Sequence, residues 1–442
     1  MRRVLLIAAV VAAAQAGAAS ATPVVKTFTY GPVTVGGYAV RQEVTTDVPR
    51  PEGAGFITHM EADVVDPRTG RRVPINRIML HHILFLNFGD GTGPKGAWNA
   101  FYGDGEERAK LQLPAGYGYP VSAGDKWGMV WMLMNHRINT DSVLIRYRIT
   151  WDTDPSVKPV VPVGFDASHL RQGLVYDVPG GGPPGSIDAR TMERPAPLSG
   201  RIVGGLGHVH GGAKDLELSE PDCGDRVIYR SSPTWGLASH PFYHVRPVLH
   251  EPGPIDMSRF TSEQGIPIVK GETLKLTSNY DAHLPHVRVM GLMLIYVAPD
   301  DSVTDPCAPM PTDIHPIRTS TPGRSNPVPF TVPLTGLNAQ GRAVTIARPP
   351  GAWVFDNGDP TIDVADYQFG DRNLVVDRGA TVTWQFNGDV AHDVTLANGP
   401  YGFSSDNLDG GKTFSITLQR PGTYKLFCAL HPVQMTQVIR VR

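Results

Sequence analysis

Four side chains near the C-terminus have the types and the spacing of a metal-ligand set. Cys428, His431 and Met435 follow one another in KLFCALHPVQM, and His392 stands earlier, in GDVAHDVTL. Two imidazoles, a thiolate and a weak axial thioether are the ligands of a type 1 copper centre. Soft sulfur stabilises Cu(I) and imidazole accepts Cu(II), so such a site reorganises little when an electron passes. The sequence therefore predicts an electron-transferring copper bound by His392, Cys428, His431 and Met435.

Short strands have to position these ligands. Residues 424–428 read as a strand that ends at the metal, residues 436–441 as the final strand, and His392 as the start of an earlier one. With its RPGTY-x-x-x-C approach to the cysteine, this segment resembles the plastocyanin/azurin family over about the last 100 residues. The resemblance implies a Greek-key β-sandwich, a cupredoxin domain, over residues 345–442.

A second set of potential ligands lies in the N-terminal region. His81 and His82 are adjacent in the apolar segment RIMLHHILFLNFG, and His136 ends the apolar segment WGMVWMLMNH. Successive strand residues face opposite ways, so His81 and His82 share a metal only if a bulge or strong twist intervenes. His208 and His210 in GHVHGG are two residues apart, which puts both rings on one face of a strand.

This series of motifs resembles the copper type II monooxygenases, the family of peptidylglycine α-hydroxylating and dopamine β-monooxygenase. The shared features are the His-His strand, the segment LQLPAGYGYPV, a lone histidine after a strand, the H-x-H-x-G strand and a methionine before an apolar strand. The chain is also similar to the plant stress up-regulated nodulin-like family, through the His-His strand and MNHRIN. The resemblance covers about residues 55–300.

The monooxygenase resemblance implies two further copper sites. His81, His82 and His136 would bind an electron-relaying copper, whereas His208, His210 and Met290 would bind the copper that meets O2. Met293, His283 and His286 lie close enough in sequence to Met290 to be alternative ligands. No catalytic residue beyond the metal ligands is assigned.

Three cysteines are an odd number for an exported protein. If Cys428 is a copper thiolate, Cys223 and Cys307 remain, and an oxidising compartment would let them form a disulfide. Export is indicated by Arg2 and Arg3 before an apolar run that ends in Ala-Ser-Ala. Residues 1–21 are thus interpreted as a signal peptide cleaved near Ala21, which predicts a secreted or periplasmic protein without a membrane span in the mature chain.

The composition predicts an all-β protein. Only 19% of the residues are charged, 48 are glycine and 40 are proline, and alternating segments such as DSVLIRYRITWD and ATVTWQFNG recur. The expected order is two jelly-roll-like β-sandwich halves, residues 24–176 and 190–304, a Pro-rich linker at 305–341, and the cupredoxin. A formal net charge of −2 without a basic tract argues against nucleic acid as a partner.

Together these features predict an exported copper-binding protein. Its type 1 copper would take electrons from a redox partner or reductant and deliver them to the monooxygenase-like region, with O2 and a small-molecule substrate as reactants. The alternative is a non-catalytic electron carrier or copper-binding protein.

Overall fold

The computed structural model describes residues 22–89, 100–169, 171–318, 323–327 and 329–442. The predicted signal peptide, residues 1–21, lies outside these residues. The described chain is all-β: its strands are joined by loops and by short 3-10 turns at Gln172–Leu174, Pro221–Cys223 and Pro241–His244. None of the helices in the described part of the chain has the length and apolar character needed to cross a membrane.

The strands fall into three groups along the chain. The first group is β1 (Val24–Val35), β2 (Val40–Thr46), β3 (Gly55–Val65), β4 (Ile78–Asn87), β5 (Ala100–Gly105), β6 (Leu111–Gln112), β7 (Tyr117–Val121), β8 (Trp127–Asn135), β9 (Asp141–Asp152) and β10 (Lys158–Pro159). The second is β11 (Val161–Asp166), β12 (Tyr176–Val178), β13 (Ile187–Pro195), β14 (Gly200–Val209), β15 (Ala213–Glu220), β16 (Arg226–Ser231), β17 (Pro233–Gly236), β18 (Asp256–Met257), β19 (Arg259–Ile268), β20 (Thr273–Asp281), β21 (His286–Val289), β22 (Gly291–Pro299), β23 (His315–Ile317) and β24 (Gly323–Arg324). The third is β25 (Thr335–Leu337), β26 (Ala343–Thr345), β27 (Val354–Phe355), β28 (Thr361–Ala365), β29 (Gln368–Phe369), β30 (Asn373–Val376), β31 (Thr381–Phe386), β32 (Thr395–Asn398), β33 (Thr413–Thr417), β34 (Gly422–Phe427) and β35 (Thr436–Val441).

The first group forms two sheets that share one core. One sheet has the order β1-β9-β3-β7-β10, with β6 also paired to β3, and the other has the order β2-β8-β4-β5. Strand β9 shows why the sequence folds this way, because its alternation points Ile145, Tyr147 and Ile149 inward between polar neighbours. These side chains pack against Phe85 and Trp131 of the second sheet.

The second and third groups repeat this two-sheet arrangement. The second has sheets ordered β11-β22-β14-β19-β23 and β13-β20-β15-β16, with smaller pairings β12-β21 and β18-β17-β24. The third has sheets ordered β27-β30-β35-β34-β32 and β29-β28-β31-β33, around a core that contains Trp384, Tyr424 and Cys428. Strand β31, within ATVTWQFNG, buries every second residue, as its alternation predicts.

Two boundaries differ from the sequence expectation. Strands β11 and β12, expected in the first half, pair instead with β22 and β21 of the second. The sheets of the two halves therefore divide near residue 160 rather than 176. The Pro-rich segment is also partly incorporated in sheets, because β23 pairs with β19 and β24 with β17.

The cysteines outside the cupredoxin form a disulfide, as the cysteine count predicted. Cys223 and Cys307 are bonded with their Cα atoms 5.4 Å apart, and Cys428 is free and buried. The bond ties the turn after β15 to the segment that follows β22.

Candidate metal centres

The ligand loop of the C-terminal site is closed by local hydrogen bonds. Strand β34 ends at Phe427, one residue before Cys428, and β35 begins directly after Met435. The Cys428 N–H donates to the Met435 carbonyl at 3.1 Å, and the His431 N–H to the Cys428 carbonyl at 3.0 Å. The antiparallel strand pair thus holds three of the four predicted ligands in one loop.

The donor atoms of this loop converge with His392. Its Nδ1 lies 3.0 Å from Nδ1 of His431, and the Cys428 sulfur lies 3.8 Å and 3.7 Å from these two nitrogens. Met435 is 1% exposed and packs in the same core as Cys428. One thiol and two imidazole nitrogens around a common point, beside a buried thioether, fit a type 1 copper.

The surroundings of this site favour neutral donors. Burial and the nearby Asp393 carboxylate raise the pKa of the Cys428 thiol well above its usual value. Burial lowers the pKa of His431 to about 4 and also lowers the pKa of His392. The imidazoles are therefore uncharged at neutral pH, each with one ring nitrogen that can accept a metal, whereas the thiol must lose its proton when metal binds.

Asp393 supports the ligand loop through hydrogen bonds. Its backbone N–H donates to the Cys428 sulfur at 3.4 Å, and its carboxylate accepts from the Ala429 N–H at 2.9 Å and from the Thr395 hydroxyl at 2.5 Å. His392 is anchored on its outer side, where its Nε2 accepts from the Tyr367 N–H at 3.1 Å.

The N-terminal histidines also converge, with the irregularity that the adjacent pair required. The pairing of β4 with β8 shifts register between Leu80 and His82. Because of this shift, His81 and His82 both present a ring nitrogen toward His210, and the three ligand atoms lie within 4.8 Å of one another. The rings of His81 and His250 are also close, with centroids 4.6 Å apart. We call His81, His82, His208, His210 and His250 the histidine cluster.

Several ring nitrogens of the histidine cluster form a hydrogen bond with a carboxylate or a carbonyl oxygen. The Nδ1 atoms of His81 and His208 lie 2.8 Å from Glu106 and Glu107, respectively, and Nδ1 of His210 lies 2.9 Å from the Arg288 carbonyl. His250 contacts Glu106 through Nε2. Carboxylates and carbonyls in this position orient metal-binding histidines and fix their tautomer.

Other ring nitrogens of the histidine cluster lack such partners. Buried nitrogens without a hydrogen bond in the described chain include Nδ1 of His82, Nε2 of His208, Nε2 of His210 and Nδ1 of His250. A buried polar atom without a partner costs about 1–3 kcal/mol, so several of them in one place need an explanation. A metal ion bound between His81, His82 and His210, whose ligand atoms lie within 4.8 Å of one another, supplies one for His82 and His210, and the neutral imidazole donor set fits copper.

The electrostatics agree with metal binding by neutral rings of His82 and His210. Burial and neighbouring histidines lower the pKa values of His82 and His210 well below the usual value. Burial would also lower the pKa of His208, but the Glu107 carboxylate outweighs it and raises that pKa. Burial opposes ionisation of Glu106, yet His250 and His81 hold its pKa well below its usual range.

Two glycines make room for histidine rings, one of which belongs to the histidine cluster. A Cβ on Gly105 would lie 2.4 Å from both Glu107 and His208, and one on Gly212 would lie 2.3 Å from the ring of His286. Gly212 also has φ of +83°, which side chains rarely adopt. Gly105, within GDGEER, is therefore part of the packing of the histidine cluster, whereas Gly212 makes room for His286, which lies outside that cluster.

The structure groups the predicted ligands differently from the two-site expectation. His81 and His82 lie with His210, which was expected in the other site, whereas His136, with its Nδ1 3.0 Å from the Pro247 carbonyl, lines a small pocket together with Glu106 and His250. Met290 is 4% exposed and lines the cavity beside His82 and His210. The alternatives also stay apart: His286 pairs with Glu251 at 2.8 Å, His283 faces the Gly182 carbonyl, and Met293 packs in the second core.

Sequence reasoning missed His250 and the acidic loop. Glu106 and Glu107 belong to the charged run GDGEER, which resembles a solvated loop, yet they are 5% and 1% exposed. His250 has no neighbouring histidine in the sequence that would signal chelation. The available signal was the Gly-Asp-Gly segment at the end of β5, since small residues before consecutive acids permit a close approach of backbone to a site.

The cupredoxin covers the histidine cluster. A cavity of about 100 Å³ is lined by His82 and His210 on one side and by Phe427, Ala429 and Leu430 on the other. Ala429 and Leu430 lie between the copper ligands Cys428 and His431, so the ligand loop itself closes this cavity.

Direct contacts hold the two regions together. The Val40 N–H donates to the Leu430 carbonyl at 3.3 Å, and Val433 packs with Met79 and Met134. Farther out, the Ser404 hydroxyl donates to Asp177 at 2.8 Å. The Pro-rich segment was expected to separate the domains, but the chain folds back and the cupredoxin rests on the N-terminal region.

Comparison with known families assigns both regions. Residues 357–442 match the copper-binding proteins of the plastocyanin/azurin family, and residues 132–300 match the family described as stress up-regulated Nod 19. The chain thus combines a C-terminal plastocyanin/azurin cupredoxin domain, with a type 1 copper site, and an N-terminal stress up-regulated Nod 19 region.

Relatives of known name match the cupredoxin part. Amicyanin-alpha of Methylorubrum extorquens is 28% identical over 86 residues, which are 19% of this chain and 71% of that protein. Among solved structures, a purple cupredoxin from Nitrosopumilus maritimus is 26% identical, with 19% of this chain and 100% of that chain covered and a TM-score of 0.18. A Cu(I) amicyanin variant is 25% identical, with 19% and 83% covered and a TM-score of 0.18.

Proposed function

We propose that this protein is an exported copper redox protein in which the type 1 site exchanges single electrons with a second copper centre in the histidine cluster. The donors of the second centre are His81, His82 and His210, and Glu106 and His250 support them. The observation that carries this proposal is the set of buried ring nitrogens without partners beneath the cupredoxin ligand loop.

The first part of the proposal is electron transfer by the cupredoxin. The donor set combines soft sulfur with imidazole, which supports both oxidation states of copper. Local backbone hydrogen bonds hold the ligand loop, so its geometry is set before metal binds. A type 1 site of this kind requires a redox partner or reductant that supplies the electron.

The second part is delivery of that electron within the chain. Cys428 is two residues from Leu430, whose carbonyl accepts the hydrogen bond from Val40 at the start of β2. Val40 pairs with Met134 of β8, and Met134 pairs with Met79 of β4, two residues before His81. Covalent bonds, one hydrogen bond of 3.3 Å and two pairings between neighbouring strands thus connect the two donor sets.

The third part concerns the chemistry at the histidine cluster. A copper held by His81, His82 and His210, with the Met290 thioether nearby, would supply reduction of O2 coupled to oxidation of a small molecule, as the monooxygenase resemblance implies. The chain's own residues hold the tautomers through Glu106 and Glu107, and the cupredoxin keeps bulk water away from the cavity. The partition into an electron-relaying site with His136 and an oxygen site with His208, His210 and Met290 is the finer variant of this proposal.

The organisation expected from the sequence belongs to the same proposal. Cleavage near Ala21 would release a secreted or periplasmic chain, a compartment consistent with the disulfide Cys223–Cys307. The first two strand groups would be the jelly-roll-like halves of the monooxygenase-like region.

Copper content per chain tests the proposal. Purified full-length protein, loaded with Cu(I) without O2, is analysed for metal and protein and then oxidised to record its visible spectrum. We expect at least two coppers per chain. The double variant His82→Ala/His210→Ala should lose about one copper and keep the thiolate-to-copper colour, whereas the exposed-site control His315→Ala should lose none.

The alternative function makes a different prediction. A non-catalytic carrier would bind one copper, and the double variant would leave both copper content and colour unchanged. If two coppers bind, consumption of O2 driven by a reductant, lost in the double variant, separates an oxygenase from a protein that only stores metal.

A further inference from the structure

The ligand-loop side of the type 1 site is covered by the N-terminal region. The Leu430 carbonyl accepts the hydrogen bond from Val40, and Val433 is 2% exposed because it packs with Met79 and Met134. This side therefore faces the histidine cluster. An external redox partner needs another approach to the copper, because electron transfer slows steeply with distance.

The outer side of the two copper-binding imidazoles lies against an exposed aromatic ring. The Tyr367 ring is nearly perpendicular to the rings of His431 and His392, with centroid distances of 4.7 Å and 5.6 Å, respectively. The Tyr367 backbone nitrogen also lies 3.1 Å from Nε2 of His392, the ring nitrogen that faces away from the other donors. Tyr367 is 51% exposed, whereas His392 and Cys428 are 1% and 0% exposed. The Tyr367 ring and one imidazole thus connect the surface with the metal site.

The backbone at Tyr367 is unusual for so large a residue. Tyr367 lies in the turn between β28 and β29 with φ of +62°, a region that bulky side chains rarely adopt. Glycine would fit this turn without strain, so the ring is present at an energetic cost. A function of the ring itself would explain why tyrosine occupies this position.

Acidic residues surround this ring. Asp366 directly precedes it, and the Asp366 carboxylate accepts from the Val390 N–H at 2.9 Å, next to Asp389. Asp409 follows the residue whose backbone exchanges two hydrogen bonds with His392. All three aspartates are exposed. The turns that contain them have no basic residue in their sequences, at 365–368, 387–391 and 408–411.

We propose that Tyr367 and these three aspartates form the docking surface for the electron donor of the type 1 site, and that the donor is a redox protein with lysine or arginine around its exposed cofactor. The inference rests on the first part of the proposed function, electron transfer by the cupredoxin. The partner loses one electron to the copper site, and no bond forms or breaks.

Shape and charge both favour a protein of this kind. Residues 365–368 are all exposed at the tip of a hairpin, and such a convex surface suits a protein, because small-molecule sites are concave. An exposed tyrosine within a charged rim is a typical centre of a protein interface. Opposite charges on the two proteins accelerate their encounter and fix their orientation.

Calorimetry on the full-length, copper-loaded protein tests the class of partner. Lysine-rich cytochrome c is the probe and acidic cytochrome b5 is the comparator, and all proteins are reduced so that only binding is measured. At low salt we expect cytochrome c to bind at least about tenfold more tightly than cytochrome b5, and added salt should weaken its binding. Equal affinity for the two cytochromes, or affinity for cytochrome c that is independent of salt, would overturn the proposed partner class.

Two pairs of variants locate the docking surface. Tyr367→Ser should weaken cytochrome c binding about tenfold and keep the copper colour, because it removes the central ring and no metal ligand. Its matched control is Phe355→Ser, at an exposed aromatic residue of β27, the other edge strand of the same sheet. Asp389→Lys should also weaken binding, whereas Asp301→Lys, at an exposed aspartate after β22, should not. Equal effects of a variant and its control would overturn the location.

A bulky label tests whether electrons enter at this surface. Cys428 is buried in the metal site, so a cysteine introduced by Gln368→Cys is labelled selectively with a polyethylene glycol maleimide. Hexaammineruthenium(II) then reduces the oxidised protein, and loss of the copper colour measures the rate. We expect the rate to be several times lower than in Phe355→Cys with the same label. Equal rates would overturn the entry point.

The copper colour of the same samples separates the two proposals. A coloured site together with unchanged affinity in Tyr367→Ser and Asp389→Lys would overturn the docking surface and leave the proposed function standing. Binding that depends on Tyr367 in protein that forms no coloured site would overturn the proposed function, and with it the role of the partner as an electron donor.

Discussion

The two metal centres differ in how far along the chain their ligands lie from one another. In the cupredoxin, three of the four ligands occupy one loop of eight residues, from Cys428 to Met435, between two paired strands. In the histidine cluster, the rings come from β4, from β14 and the residue that follows it, and from the loop that contains His250, and their supporting carboxylates come from the loop after β5. A centre assembled by one loop can be predicted from the sequence, whereas a centre assembled from distant strands depends on how the sheets pack.

The two centres also differ in their supporting groups. Behind the cupredoxin loop stands a single buried carboxylate, Asp393, which mainly accepts backbone N–H groups. In the histidine cluster, Glu106 and Glu107 bond directly to the ligand rings. The cupredoxin thus positions its metal through the backbone, and the N-terminal centre positions its metal through side-chain pairs that tune the imidazoles.

The largest effect should follow from removing the thiolate. Cys428→Ser eliminates the sulfur that gives oxidised type 1 copper its charge-transfer colour, so the colour should vanish while the copper of the histidine cluster stays. Visible spectra and metal analysis measure both quantities. The control Cys223→Ser/Cys307→Ser should remain coloured, and a colourless control would mean that the ligand cysteine is assigned wrongly.

The second largest effect should be the loss of stability in the double variant Cys223→Ser/Cys307→Ser. The disulfide closes a loop with a sequence separation of 84 residues, and its loss should cost the second strand group about 3–5 kcal/mol. Urea denaturation, followed by tryptophan fluorescence and by the copper colour, separates the two regions. Because the cupredoxin has no disulfide, we expect the colour to disappear at nearly the same urea concentration as in the wild type. A shift of both transitions together would show that the regions unfold as one unit.

Glu106→Gln should weaken metal binding at the histidine cluster alone. Glutamine accepts weaker hydrogen bonds from His81 and His250 than the carboxylate, and such changes typically cost 10–100-fold in metal affinity. Competition with a Cu(I) chelator measures the affinity of each site. The exposed Glu263→Gln is the matched control. An equal loss of affinity at the type 1 site would contradict the separate support of the two centres.

Loosening the contact between the regions should slow electron delivery without removing either metal. Asp177 accepts hydrogen bonds from Ser404 at 2.8 Å and from the Arg288 N–H at 2.9 Å, so Asp177→Ala removes both. After photochemical reduction of the type 1 copper, recovery of the colour reports electron transfer to the second centre, and we expect it to be severalfold slower. Asp188→Ala, at an aspartate of the neighbouring strand, should recover at the wild-type rate.

The smallest expected effect is the change in stability between neutral and mildly acidic pH. Burial lowers the pKa of His136 to about 4, so between pH 6.5 and 4 the unfolded chain binds a proton there that the folded chain does not. Stability must fall as pH decreases through this window, by about 1 kcal/mol between about pH 7 and pH 5.5 from this residue. Urea midpoints of metal-free protein at both pH values should differ less for His136→Gln than for the wild type. If His315→Gln reduced the difference between the two urea midpoints as much as His136→Gln does, the assignment to His136 would be contradicted.

Much of this protein is determined by sequence alone. The all-β class follows from alternation that each strand carries by itself, as in β9 and β31. The type 1 ligand set follows from the spacing of Cys428, His431 and Met435, because a short loop between paired strands brings its ends together whatever the rest of the chain does. The disulfide follows from counting, once one cysteine is used by the metal.

The histidine cluster was decided by tertiary structure. Single motifs predicted that His81 and His82 bind metal, but a register shift in β4 and the packing of β14 against it selected His210 as their neighbour. Glu106 and His250 are 144 residues apart, and no local pattern links them. Their contact exists because two sheets pack face to face and exclude water. A short window of sequence contains no information about which distant segment will pack against it.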